Sequence, residues 1–172
     1  MKESNFFAGN SFHMEKLNKN FADFLRLLNE KQVKYLVVGG YAVGFHGFVR
    51  ATGDLDVFVE ISEENAKRLV AVFLDFGFTD AVLTKELFLK KGTIIRIGIP
   101  PLRVEVLNDI DGVSFAECYH GRIEEEIDDL RISFIDLKNL IKNKQASGRP
   151  KDIADLHELT KKIISERSKR SR

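Results

Sequence analysis

The stretch from Lys34 to Glu60, KYLVVGGYAVGFHGFVRATGDLDVFVE, constrains the fold more than any other part of the chain. An apolar run ends in Gly39-Gly40, a glycine-punctuated segment follows, and a second apolar run carries Asp54 and Asp56. The first run, Lys34 to Val38, has no charge after its lysine, which predicts a strand covered on both faces and ended by the glycines. Tyr41 to about Gly47 then predicts a short helix, Arg50 to Gly53 a connection, and Leu55 to Ile61 a second strand. Strand side chains repeat every second residue, so Asp54 and Asp56 point to one face with Cα atoms roughly 6 to 7 Å apart. Two carboxylates without imidazole or thiolate beside them make a hard oxygen site, suited to magnesium or manganese and unsuited to zinc.

A third acid would complete such a site. Glu105 is the candidate, because it lies inside the apolar run Leu102 to Leu107, where a lone buried carboxylate is costly unless it is paired or metal-bound. Arg103, two residues earlier on the same face, offers the alternative of a salt-bridged edge strand. The glycine pair has a complementary use: Gly39 and Gly40 let the backbone approach a phosphate, and the next helix begins with free amides. They equally suit an ordinary tight turn. The spacing of Gly39, Gly40 and Gly44 excludes both G-x-G-x-x-G and the Walker pattern, which disfavours a dinucleotide-binding domain and a P-loop ATPase.

Around this centre the chain predicts helices over Glu15 to about Lys31, with Phe21, Phe24, Leu25 and Leu28 inward, and over Glu63 to about Phe76, capped by Ser62 and stopped by Gly77. Thr79 to Leu89 leans toward a strand or turn. Thr93 to Ile99 and Leu102 to Leu107 form strands joined through Pro100-Pro101, and Val113 to Tyr119 a single helical turn. Arg122 to Asp129 reads as a charged connection to a last strand, Leu130 to Ile135. Asp136 caps a helix whose stripe Leu137, Leu140 and Ile141 continues in Lys144. A lysine there needs an acidic or phosphate partner, or else snorkels from the helix end. Ser147 to Pro150 breaks that helix, and Lys151 to Ser165 forms another with Ile153, Leu156, Leu159 and Ile163 inward. Arg50 and Thr52, just before the aspartates, are candidates to contact phosphate or acceptor, the alternative for Arg50 being an ordinary solvated loop side chain. Arg149 and Lys151 add positive charge at the rim, Asp152 and Asp155 cap and pair with neighbouring helices, and His46 makes a structural hydrogen bond.

Charge narrows the function classes. The 27 basic and 26 acidic residues nearly cancel, which argues against a protein that coats nucleic acid or an anionic membrane. The single cysteine, Cys118, excludes an intrachain disulfide framework and fits a cytoplasmic setting. The N-terminus lacks a secretory h-region, and the longest uncharged stretch, Tyr35 to Val49, is too short and too glycine-rich for a membrane span.

Taken in order, Gly39-Gly40, a spacer, Asp54-Leu55-Asp56 and a later strand acid resemble the nucleotidyltransferase superfamily related to DNA polymerase beta. RATGDLD at Arg50, IGIPPLRVEVLNDIDGVSF at Ile97 and KQASGRPKDIADL at Lys144 resemble a small bacterial and archaeal branch linked to toxin-antitoxin and abortive-infection systems. The resemblance spans about Lys34 to Leu159. It implies an α/β (α+β) fold, a mixed sheet flanked by helices, in one nucleotidyltransferase-like domain; the residue pattern bounds that domain at 15–165, between an aperiodic arm over 1–14 and a flexible basic tail over 166–172. It implies transfer of a nucleoside monophosphate from a nucleoside triphosphate to a hydroxyl of a protein, RNA or small molecule. Magnesium or manganese would be held by Asp54, Asp56 and Glu105, with Gly39, Gly40, Arg50, Thr52 and Lys144 near the nucleotide. Gly40 and Glu105 depart from the commoner serine and aspartate of that family. The alternative is a catalytically silent nucleotide- or partner-binding module, paired with a protein encoded by a neighbouring gene.

Overall fold

The structure, a computed structural model, describes residues 17–170, with side chains through Ser165. The expected arm with Phe6 and Phe7 lies outside the described residues. Helix α1 (Lys19–Glu30) begins at Asn18, whose side chain accepts a hydrogen bond from the Asn20 amide. Its stripe of Phe21, Phe24, Leu25 and Leu28 is buried, as the spacing requires. Strand β1 (Tyr35–Val38) is buried throughout, and helix α2 (Gly39–Phe45) starts on the glycine pair itself. Strand β2 (Asp54–Val59) leads to α3 (Glu63–Asp75), capped by Ser62 and followed by Gly77 at φ +104°. Phe24 of α1 meets Phe73 of α3 and the following Phe76 edge-on, which fixes the two helices together.

Next come α4 (Lys85–Leu89), β3 (Ile94–Ile97), β4 (Arg103–Leu107), α5 (Phe115–His120), β5 (Ile123–Ile127) and β6 (Leu130–Phe134). Helices α6 (Leu137–Ser147) and α7 (Pro150–Arg170) close the described chain. The strands form one mixed sheet in the order β3-β4-β2-β1-β6-β5. Antiparallel β1–β2 sets Val38 opposite Asp56, and parallel β2–β4 sets Asp54 opposite Arg103 and Asp56 opposite Glu105. One face of β2 presents Leu55, Val57 and Val59 to the core, and the other carries the two aspartates and then Phe58, which packs on Phe115 of α5. No described helix is long and apolar enough to cross a membrane.

Several elements differ from the sequence expectation. Part of Thr79 to Leu89 is the helix α4, which buries Phe88. The charged segment after Arg122 is the strand β5, whose glutamates 124–126 line an outer strand paired on one side only, to β6. Asp128 and Asp129, both at positive φ, turn that hairpin in place of a glycine. Strand β4 is not an edge strand, because β3 covers it. Helix α7 runs to Arg170, five residues beyond its expected end, and its inward face carries Asp152, Asp155 and Leu159 while Ile153 is 58% exposed.

Candidate active site

The acids converge because two neighbouring strands carry them in register. Asp54 and Asp56 share a face of β2, and Glu105 on β4 stands directly opposite Asp56. Gly39, the residue after β1, sits against the same point: its φ is +62°, and a Cβ there would collide with the Asp56 carboxylate. Glycine is therefore required by close approach as well as by backbone conformation. Beside it, a Cβ on Gly40 would lie 2.6 Å from Thr52 Oγ1 and 3.3 Å from Arg50 Nη1, so serine at position 40 would crowd Thr52. The Thr52 hydroxyl donates to the Asp54 carbonyl at 3.4 Å.

Arg103 bridges two of the three acids. Its Nη2 donates to Asp54 Oδ2 at 2.9 Å and reaches Glu105 Oε1 at 3.0 Å, while Arg96 Nε of β3 approaches the same Glu105 oxygen at 2.9 Å. Asp56 makes no hydrogen bond or ion pair with a described side chain. Burial pushes its carboxyl up to about 6, and the neighbouring Glu105 and Asp54 charges add to the rise. Among the described residues, no three acid, thiol or imidazole groups already form a metal cage. The donor set nevertheless fits a divalent cation. It consists of carboxylate oxygens from adjacent strands, and two of the acids already hold one cationic nitrogen between them. Arg103 Nε is buried without a hydrogen-bond partner, an arrangement that costs about 1 to 3 kcal/mol.

A second charged cluster ties α7 to this site. Lys144 Nζ, from α6, lies 2.6 Å from Asp152 Oδ1 and 3.0 Å from Asp155 Oδ2, and all three side chains are almost fully buried. Arg50 grips Asp155 through Nε at 2.7 Å and Nη2 at 2.9 Å, a bidentate pair. Ser147 and Arg149 donate to Asp152 Oδ2 at 2.8 and 2.7 Å. Burial alone would raise the Asp152 carboxyl, but donation from Lys144, Arg149 and Ser147 holds it at about 2. Asp155 is lowered in the same way, with Arg50 and Lys144 outweighing burial.

Thus Lys144 has the acidic partners its position demanded, and Arg50 is spent on Asp155 as well. Lys151 and Lys144 lie near enough to act electrostatically on Asp56. His46 has the expected structural bond, its Nε2 2.8 Å from the Ile135 carbonyl. Arg96, a charged residue in a short β-branched strand, is a further neighbour of the site that the sequence pattern alone does not connect to Glu105. The sequence pattern marks Asp152 and Asp155 as pairing residues but gives the inward face to Ile153 and Leu156; the structure instead buries the two aspartates and exposes Ile153.

The comparisons bear on the same stretch of chain. Residues 15–166 match a family described as "Nucleotidyltransferase of unknown function (DUF6036)". The chain belongs to this family. No curated protein matches this chain significantly. Among solved structures, TM1012 of Thermotoga maritima, assigned as a nucleotidyltransferase, is 17% identical with a TM-score of 0.52, over 84% of this chain and 91% of that one. ANT(2")-Ia in complex with adenylyl-2"-tobramycin is 15% identical with a TM-score of 0.54, over 86% and 89%. An antigenic nucleotidyltransferase-like protein of Paracoccidioides brasiliensis is 14% identical with a TM-score of 0.50, over 80% and 72%. At these identities the likeness is one of fold.

Proposed function

We propose that this family member transfers a nucleoside monophosphate from a nucleoside triphosphate to a hydroxyl acceptor. The observation that carries the proposal is the register of Asp56 with Glu105, with Asp54 on the same face and Gly39 pressed against Asp56. Asp54, Asp56 and Glu105 would hold magnesium or manganese, which when bound neutralises the triphosphate and polarises its α-phosphoryl group. The acceptor oxygen bonds to the α-phosphorus, the bond to the β-phosphate bridging oxygen breaks, and pyrophosphate leaves. Glu105 receives the acceptor's proton. Gly39 and Gly40 let the backbone come close against Asp56 and Thr52, so their amides would face a phosphate bound at the acids, with the Thr52 hydroxyl beside them. Arg50 and Lys144 act as positioning residues, because their ion pairs with Asp152 and Asp155 seat the first turn of α7 and so bring Lys151 toward Asp56.

One structural neighbour holds an adenylylated aminoglycoside, so ATP and a small polyhydroxylated acceptor form the first pair to test. Incubation with α-labelled nucleotides and magnesium is expected to label an acceptor, and Asp54→Asn with Asp56→Asn to abolish the label. Equal labelling by both proteins would sink the catalytic reading. A silent nucleotide- or partner-binding module is the second reading, favoured by the ion pairs that already occupy Glu105. Calorimetry would then show triphosphate or partner binding with no pyrophosphate released.

A further inference from the structure

We propose that Arg103 is the built-in counter-cation of the acid site, and that a divalent ion binds only by displacing its guanidinium from between Asp54 and Glu105. This rests on the metal-site reading above and deepens it. Arg103 and Glu105 are two residues apart on β4, and Asp54 stands opposite Arg103 on β2, so the register itself delivers the guanidinium to the centre of the acids. The Nη2 atom lies 2.9 Å from Asp54 Oδ2 and 3.0 Å from Glu105 Oε1. A cation that bridges those two oxygens and a nitrogen that bridges them cannot both be present.

The contact is exchangeable on chemical grounds. Arg103 uses one nitrogen for both acids, without the two-pronged fork that makes arginine–carboxylate pairs strong, and its Nε is buried without a partner. A magnesium ion carries twice the charge and approaches oxygen at about 2.1 Å, so it competes well once it arrives. Asp56, which has no ion pair, adds a ligand that the guanidinium does not use. Arg96 holds the same Glu105 oxygen from the rim, where its 54% exposure leaves that pair screened by solvent, so Arg103 is the guanidinium that bridges the two acids. The consequence is that nucleotide-free protein holds metal weakly. The incoming triphosphate, which brings its own magnesium and offers anionic oxygens to the released guanidinium, loads the site in one step.

The test is Mn2+ binding to nucleotide-free protein, followed by electron paramagnetic resonance, for wild type, Arg103→Gln and Arg103→Lys. Arg103→Gln is expected to bind Mn2+ at least tenfold more tightly than wild type, and Arg103→Lys, which keeps the charge without the planar group, to fall between them. A non-hydrolysable ATP analogue is expected to tighten Mn2+ binding by wild type more than by Arg103→Gln. Should Arg103→Gln not fold, the comparison of Arg103→Lys with wild type carries the same sign. Equal Mn2+ affinity in all folded proteins overturns the role of Arg103 and leaves the metal site standing. No Mn2+ bound by any of them, with or without the analogue, removes the metal site and this inference with it.

Discussion

Asp56→Asn should make the protein more stable while destroying its proposed activity. The Asp56 carboxyl is raised from 3.8 to about 6, first by burial and then by the charges of Glu105 and Asp54. Because the folded value lies above the unfolded one, its contribution is fully present below pH 3.8 and is lost as the pH rises through about 6. At roughly 1.4 kcal/mol per pH unit, the ionised carboxylate costs the fold about 3 kcal/mol at neutral pH. Asparagine keeps the shape and removes the charge, so it should recover about 2 to 3 kcal/mol at pH 7.5, or roughly 5 to 10 °C in Tm for a chain of this size. Urea unfolding of both proteins at pH 4 and pH 7.5 measures it, with the advantage of the variant expected to shrink sharply at pH 4. A variant no more stable than wild type at pH 7.5, or an advantage independent of pH, would refute the account of Asp56 as a half-buried charge with no ion pair among the described residues.

Two further substitutions test the surroundings. Lys144→Met leaves Asp152 and Asp155 buried with one cation fewer and is expected to cost about 3 kcal/mol in urea unfolding at pH 7. Because the Asp152 value is depressed, the network's contribution is present above pH 3.8 and lost as the pH falls through about 2, so the gap should narrow in acid; a loss under about 1 kcal/mol at pH 7 would mean the cluster is not a clamp. Gly39→Ala places a residue with a Cβ at φ +62° and pushes the Asp56 carboxylate aside. It should cost about 1 to 2 kcal/mol from backbone strain and cut nucleotide incorporation, and full activity in this variant would remove Gly39 from the site.

Much of the site was legible because it is local. Strand periodicity alone places Asp54 beside Asp56, and the cap residues Ser62 and Asp136 mark helix starts without any knowledge of packing, whereas the first helix starts at Lys19, behind the cap Asn18, and not at Glu15. Glu105 stood out as an acid in an apolar run. Less visible were elements whose identity depends on a distant partner. The glutamates of β5 are strand only because β6 offers a ladder, and five-residue α4 is helix because Phe88 finds the core. The inward face of α7 is hidden from the sequence for the same reason, since Asp152 and Asp155 turn inward because Lys144 meets them there.

What the sequence by itself determined is the order of strand, glycine pair and paired aspartates, which follows from period-two geometry and the conformational freedom of glycine. Tertiary structure alone decided which charges meet. The β2–β4 register brings Arg103 to Asp54 and Glu105 to Asp56, and the seating of α7 commits Arg50 and Lys144 to carboxylates rather than to solvent. The reason is physical: backbone preferences act over a few residues, whereas ion pairing is decided by which side chains burial forces together across the fold.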